Sequence, residues 1–232
     1  MKKKILIGLG IVVLVVIGVI GYMVITDLQQ EDKLLQEVDE ITALTNEDLI
    51  DVDKLRDKLD NTITRGDYGT TERALKDYVS DLVDNYEIIY NALNDDTMIN
   101  ILSIDNYKED GKEFTESREY LSTTQDNLKS AMNNYVELLT EEGAMKYIND
   151  KGLDSYYVDL YRDELVGEIP ADDVSELETA INDIISLLDK EEAVIEFLVQ
   201  NKDNWEIQGD NIVFDGNDLT NEYLGLVDEI AN

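Results

Sequence analysis

The chain contains no cysteine and no histidine, and these two absences remove much of the usual chemistry of enzymes and metal sites. Without cysteine there is no disulfide, no thiolate metal ligand and no thiol nucleophile. Without histidine there is no Ser-His-Asp triad, no histidine-bound zinc and no imidazole general base. The sequence thus offers none of these sites. Our prediction is no catalytic residue, no metal-binding residue and no cofactor, with carboxylate chemistry and Ca²⁺ as the alternatives.

Proline and basic residues are also scarce. Pro170 is the only proline among 232 residues, which is typical of a chain built from uninterrupted helices. The chain has 19 Lys and Arg against 53 Asp and Glu, a net charge of −34. Because a chain this acidic repels phosphate, we expect no nucleic-acid partner. It attracts cations and basic proteins instead. The same charge also serves simply to keep an exposed domain soluble.

The first residues do not share this acidity. Lys2, Lys3 and Lys4 are followed by an uncharged, apolar run from Ile5 to Ile25. As a helix this run is about 31 Å long, which matches the hydrocarbon core of a bilayer. We predict a transmembrane signal anchor over residues 5–26. The positive-inside rule then keeps the basic tip, residues 1–4, in the cytoplasm and puts residues 27–232 outside a single-pass cell-membrane protein.

A cleaved secretory signal is the alternative for this segment. Such signals usually have an apolar region of about 7–15 residues and a small-x-small cleavage site. The run here is longer, and residues 21–26 offer no such site, so an uncleaved anchor is our prediction. A tip of residues 1–4 is too short for a cytoplasmic effector. If the protein senses a ligand, we therefore expect a separate protein to carry the signal.

The outer segment has apolar residues at helical spacing, which predicts an extracytoplasmic multi-helix bundle. The clearest stripe is Leu75, Val79, Leu82, Tyr86, Ile89 and Leu93. The Gly66–Gly69 stretch is predicted as a turn and residues 105–112 as a polar loop. The principal predicted helices cover about residues 27–43, 45–66, 70–93, 113–139, 172–200 and 219–231.

Two smaller features complete the predicted fold. One shorter helix is predicted near residues 97–103, and two more, near residues 140–152 and 154–167, form a connector or cap. Trp205–Ile207 and Ile212–Phe214 alternate around a turn containing Gly209, which indicates a β-hairpin. The fold class is thus mainly α: an N-terminal transmembrane helix, then one acidic helical domain over residues 27–232 with a small C-terminal β-hairpin.

Aromatic residues suggest where a partner could bind. Tyrosines cluster in the connector near Asp154, where rings can stack and hydroxyls can bond to a sugar or peptide. The predicted binding residues are Tyr147, Tyr156, Tyr157, Tyr161, Asp154 and Trp205. The alternative is that these tyrosines are half buried in the bundle and that Trp205 packs in its core.

Paired acids and acidic loops raise two further hypotheses. The pairs are Asp95-Asp96, Glu141-Glu142, Asp172-Asp173 and Glu191-Glu192. Pairs of carboxylates catalyse glycoside hydrolysis in many enzymes. Three of these four pairs, however, stand at predicted helix starts, where acids cap free N–H groups, and capping is the favoured interpretation. Two loops, residues 105–111 and 210–218, miss the EF-hand order of ligands. A Ca²⁺ site of another type stays an alternative.

These observations favour a bacterial membrane-anchored interaction or accessory module that binds an envelope protein, a peptide or a glycan. One alternative is a carboxylate-dependent hydrolase that acts on cell-envelope polymers. Another is a ligand-sensing partner of a separate signalling protein. No motif in the sequence indicates a family.

Overall fold

The computed structural model describes residues 30–45, 51–166 and 171–231. This part of the chain is mainly helical and has one two-stranded sheet. In chain order the elements are α1 (Gln30–Thr45), α2 (Val52–Leu59), α3 (Gly66–Asn94), α4 (Asp96–Asn100), α5 (Ile104–Asp110), α6 (Thr115–Leu138), α7 (Glu141–Met145), a 3₁₀ helix (Asn149–Lys151), α8 (Ser155–Asp159), a π-helix (Leu160–Val166), α9 (Ala171–Gln200), β1 (Trp205–Gln208), β2 (Asn211–Phe214) and α10 (Asn217–Ala231).

Over these described ranges, no helix combines the length and the apolar character needed to cross a membrane. The predicted basic tip, residues 1–4, and the predicted anchor, residues 5–26, both lie outside the described residues. The anchor therefore stays a prediction from the sequence.

By its contacts the chain divides into two compact units. Of the described residues, unit 1 comprises 30–45, 51–88, 131–166 and 171–179, and unit 2 comprises 89–130 and 180–231. The boundaries fall inside α3, α6 and α9. The sequence predicts one domain over residues 27–232, whereas the described residues of this range divide into two units.

The predicted apolar stripes are buried, which confirms the long helices. The whole stripe of α3 is at most 4% exposed, and α6 buries Leu121, Leu128 and Tyr135 at 0%. In α9, Ile181, Leu188 and Ile195 are likewise fully buried. Each helix therefore forms where a continuous apolar face can be removed from water.

A charged network is buried in unit 1. Lys76 of α3 is 1% exposed, and its Nζ donates to Glu37 Oε1 of α1 at 2.5 Å and lies 2.9 Å from Glu72 Oε1. The same ammonium group donates to the carbonyl oxygens of Lys58 at 3.0 Å and Asn61 at 2.5 Å. The buried charge is thus both neutralised and hydrogen bonded, as a charge in a protein interior requires.

Glu72 explains why the predicted turn at Gly66–Gly69 is wrong. Its carboxylate accepts hydrogen bonds from the N–H groups of Ile63 and Thr64 and from the Thr64 hydroxyl. These bonds hold residues 60–65 as the connection, so α2 ends at Leu59 and α3 begins at Gly66. Gly69 lies so close to this connection that a Cβ would be 3.0 Å from Thr64 O.

The predicted polar loop over residues 105–112 is also wrong, because most of it forms α5. Ser103 caps this helix by accepting a hydrogen bond from Asn106 N at 3.1 Å. Gly111 ends it with φ of +74°, a positive value that favours glycine. Tyr107 is 1% exposed and its ring packs edge-on against Phe114 at 5.2 Å, so this otherwise polar segment buries one aromatic side chain within unit 2.

The predicted hairpin is confirmed, and it lies in unit 2. β1 and β2 are antiparallel, with Trp205 opposite Phe214 and Ile207 opposite Ile212. Phe214 forms ring contacts with Phe197 of α9 and Tyr223 of α10, at centroid distances of 5.8 and 5.2 Å. One face of the hairpin therefore packs through aromatic rings.

Candidate functional site

The connector of unit 1, residues 141–166, is built from short helices whose ends are fixed by local contacts. Thr140 Oγ1 caps α7 by accepting from Gly143 N at 3.0 Å. A Cβ on Gly143 would stand 1.9 Å from Glu137 O, so only glycine fits there. Gly152, with φ of +70°, ends the 3₁₀ helix in a left-handed conformation.

A π-helix follows α8 directly. It covers Leu160–Val166, and such segments are rare, usually short and frequent at functional sites. Tyr161 ties the π-helix to α7, because its side chain is fully buried and its hydroxyl donates to Ala144 O at 2.9 Å. Burial raises the pKa of Tyr161 well above its usual value. The next residue, Arg162, is partly exposed.

Arg162 lies at the edge of an open depression of about 470 Å³. The depression is lined by Glu141, Glu142, Met145, Asn149 and Arg162. The guanidinium is bonded to Asp159 Oδ1 at 2.8 Å and lies 3.7 Å from Glu141 Oε1. Arg162 supplies one positive charge, whereas Glu141 and Glu142 in the lining and Asp159 beside Arg162 supply three negative charges. The depression therefore has a surplus of negative charge.

The connector tyrosines of the predicted binding face have different environments. Tyr147 is partly exposed, its hydroxyl donates to Asp81, and its ring packs edge-on against Tyr78 at 5.5 Å. Burial, with help from Asp81, raises the pKa of Tyr147 well above its usual value. Tyr161 is buried as described above. Neither side chain lines the depression.

Tyr156 and Tyr157 belong to a second group, which we call the Glu31 cluster: Glu31, Tyr68, Tyr156 and Tyr157. The hydroxyls of Tyr68 and Tyr156 both donate to Glu31 Oε2 at 3.1 Å. Tyr157 packs edge-on against both other rings, at 5.1 and 5.2 Å. Burial, with the hydrogen bonds to Tyr156 and Glu31, raises the pKa of Tyr68 well above its usual value. Tyr156 remains 49% exposed.

The other two predicted binding residues, Asp154 and Trp205, have different environments from these tyrosines. Asp154 is exposed at the N-terminus of α8, where its side chain makes no capping hydrogen bond. Trp205 belongs to unit 2 and is 3% exposed; its Nε1 donates to Leu198 O at 2.8 Å. The interpretation of Trp205 as a core residue therefore agrees with its placement, and Trp205 adds no exposed surface for a ligand.

The paired acids occupy helix starts in three cases, as the sequence indicated. Asp95 caps α4 by accepting from Thr97 N at 2.7 Å, Glu141 and Glu142 fill the first turn of α7, and Asp172 and Asp173 follow the first residue of α9. The fourth pair, Glu191 and Glu192, lies within α9.

Two acidic segments, residues 105–111 and 210–218, are the candidates for Ca²⁺, and the first of them lies mostly in α5. Asp110 accepts from Glu116 N and Ser117 N at 3.0 and 2.8 Å, so its carboxylate caps α6. Among residues 30–45, 51–166 and 171–231, no three acidic side chains are grouped so that they could hold a metal ion.

Sequence reasoning missed Glu31, Tyr68, Met145, Asn149 and Arg162. The first two contact partners far away along the chain, since Glu31 and Tyr156 are 125 residues apart. Arg162 carries a weak local signal, because it is the only basic residue in a stretch of acids and tyrosines. No protein-family model, no curated protein and no solved structure matches this chain.

Proposed function

We propose that this chain is a membrane-anchored interaction module whose helical scaffold presents the connector, residues 141–166, to a partner outside the cell membrane. Residues 5–26 are the single-pass anchor, and residues 1–4 are cytoplasmic. The support for this anchor comes from the sequence alone, in which three lysines precede an uncharged run of bilayer length.

The observation that carries the proposal is the depression beside the π-helix. It combines an apolar side chain, Met145, with an amide, Asn149, and with charges of both signs. Ligand sites commonly have this composition, an apolar floor with a few polar groups that fix orientation. The surrounding helices bury continuous apolar stripes and serve as the scaffold.

The charge of the depression favours one kind of partner. The charge of Arg162 is already balanced by Asp159 and Glu141, so the carboxylate of Glu142 leaves a negative charge for a partner. A segment of an envelope protein or a peptide that presents a lysine or arginine fits this surplus. A neutral glycan would instead rely on stacking with exposed Tyr156.

Site-specific photo-crosslinking in intact cells tests the proposal. A photo-reactive residue replaces Asn149 in the depression, and Asn133, an exposed asparagine on α6 in the same unit, receives it as the matched control. We expect an adduct from position 149 only, and we expect Glu141→Lys with Glu142→Lys to weaken it. Equal adducts from both positions, or none from either, would contradict the proposed site.

The orientation has its own test. Protease added to intact cells should digest the chain beyond Asp27, because residues 27–232 are proposed to lie outside. Full protection, lost only when the membrane is opened, would reverse the proposed topology.

The hydrolase alternative is supported by one observation, since Glu141 and Glu142 both line the depression. It predicts hydrolysis of envelope polymers that Glu141→Gln or Glu142→Gln abolishes. The sensor alternative predicts that the crosslinked partner itself spans the membrane and has a cytoplasmic effector.

A further inference from the structure

Three segments of unit 1 meet at the beginning of α1. Gln30 Oε1 accepts a hydrogen bond from Arg65 N, in the connection before α3, at 3.0 Å. Glu31 Oε2 accepts from Tyr68 of α3 and from Tyr156 of α8, both at 3.1 Å. The first residues of α1 are therefore bonded both to the start of α3 and to the connector.

The chain length between this place and the proposed anchor is short. Thr26, the last residue of the anchor, is four positions before Gln30. In any conformation their Cα atoms are at most about 14 Å apart. The far end of α1, Thr45, lies about 22 Å farther along this helix of 16 residues. If the anchor spans the membrane, the beginning of α1 is the end of this helix tied closest to it.

Exposed apolar side chains are found in the same segments. Among the described residues of unit 1, the exposed large apolar side chains are Ile63 at 43%, Ile88 at 41% and Tyr156 at 49%. Ile63 lies two residues before Arg65, and Tyr156 bonds to Glu31, whereas Ile88 lies about 33 Å along α3 from Gly66. Tyrosine is enriched where membrane and water meet, because its ring is apolar and its hydroxyl polar.

Charges of both signs accompany them. Within the described residues, four basic side chains have no hydrogen-bond or ion-pair partner: Lys33, Arg65, Lys129 and Lys151. All but Lys129 belong to the three segments that meet at Gln30 and Glu31 or directly adjoin them. Exposed acids alternate with them, namely Asp32, Asp67, Asp150 and Asp154. This mixture matches a zwitterionic head group, which carries a phosphate and an ammonium, better than an anionic one.

We propose that this end of unit 1 rests on the zwitterionic phospholipid head groups of the membrane that holds residues 5–26. The membrane-facing surface consists of Lys33, Ile63, Arg65, Lys151 and Tyr156. Ile63 and Tyr156 enter the head-group layer, and the basic side chains bind lipid phosphates. The inference rests on the proposed anchor, and it means that the membrane fixes one end of unit 1.

The test uses the full chain in phosphatidylcholine nanodiscs. Because the chain has no cysteine, one introduced cysteine gives a unique position for a spin label. Ile63→Cys reports the proposed surface, and Ile88→Cys is the matched control, an isoleucine of similar exposure in the same unit. We expect the ratio of oxygen to aqueous nickel-chelate accessibility to be several-fold higher at position 63. Equal ratios would overturn the inference.

A charge reversal tests the head-group contact separately. In the Ile63→Cys chain, Arg65→Glu should lower the accessibility ratio toward that of position 88, and Lys129→Glu should leave it unchanged. Equal effects of the two reversals would contradict phosphate binding by Arg65. A chain that does not insert into nanodiscs overturns the anchor and with it the inference, whereas an inserted chain with an aqueous label at position 63 overturns the inference alone.

Discussion

Unit 1 buries a lysine between two glutamates, whereas unit 2 contains the tryptophan and all three phenylalanines of the chain. The ionic contacts around Lys76 add little net stability but are costly to break from one side, because a charge is then left in the interior. Ring packing in unit 2 stabilises through the apolar area it buries. We therefore expect unit 1 to depend on complete sets of partners and unit 2 on the volume of its side chains.

Removing the indole ring should have the largest effect. Trp205 lies 6.1 Å from the ring of Phe114 and under Lys112 Nζ at 4.7 Å. Trp205→Ala should lower the free energy of opening of unit 2 by about 4 kcal/mol, since it leaves a cavity and an unpaired Leu198 carbonyl. Hydrogen exchange of unit 2 amides, followed by mass spectrometry on the full chain, measures this loss.

Val213→Ala provides the control on the same hairpin. Val213 is 39% exposed, so its change should cost no more than about 0.5 kcal/mol. If Trp205→Ala lowered protection in unit 1 as much as in unit 2, the two units would open together and the comparison between them would fail.

Replacing the buried lysine should have the next largest effect. Lys76→Met should lower the free energy of opening of unit 1 by about 3 kcal/mol, because Glu72 is left without its ammonium partner. Glu37 keeps a partner, since Lys58 Nζ lies 2.7 Å from its Oε2. Amide exchange of α1 and α3 measures the loss.

The matched control for Lys76 is Lys129→Met in α6. Lys129 is exposed and has no partner in the described part of the chain, so we expect a change within about 0.5 kcal/mol. A loss at position 76 no larger than at position 129 would show that the network is not needed.

A pair of glycines compares the units at the level of the backbone. Gly143→Ala should destabilise unit 1 by about 2 kcal/mol, because the new Cβ collides with Glu137 O of the backbone. Gly225→Ala in α10 meets open space and should stabilise unit 2 by up to about 1 kcal/mol, since alanine favours a helix. Thermal unfolding and amide exchange of both variants check the opposite signs.

The same contrast shows how far the sequence predicts the structure. Periodic stripes predict α3, α6 and α9, and alternation around Gly209 predicts the hairpin, because these signals are local. The connection over residues 60–65 is missed because it depends on Glu72, whose role as acceptor has no periodic pattern. The Glu31 cluster is missed for the same reason, since its members are brought together only by the fold.

The smallest expected effect is a pH dependence of unit 1. Burial by itself raises the pKa of Glu72, but hydrogen bonds from Thr64, Lys76 and the Ile63 N–H outweigh it, and the net pKa is lower than the ordinary 4.5. The stabilisation by Glu72 is thus fully present above the pKa of the unfolded chain and is lost as the pH falls through the lowered value. The protection factors of the Ile63 and Thr64 amides, that is, their exchange rates relative to the intrinsic rate at the same pH, should therefore fall on acidification.

Glu72→Gln separates this effect from the general loss of carboxylate charge in acid. The side-chain amide keeps an acceptor for the Ile63 and Thr64 N–H groups but has no proton to gain, so the protection factors of these two backbone amides should vary less with pH in the variant. In unit 2 burial by itself raises the pKa of Asp110, but hydrogen bonds from Ser117 and from backbone N–H groups outweigh it and the net pKa is lowered. The start of α6 should therefore loosen in acid in both chains. An unchanged pH profile at residues 63 and 64 in Glu72→Gln would mean that another carboxylate, and not the buried network, makes unit 1 sensitive to acid.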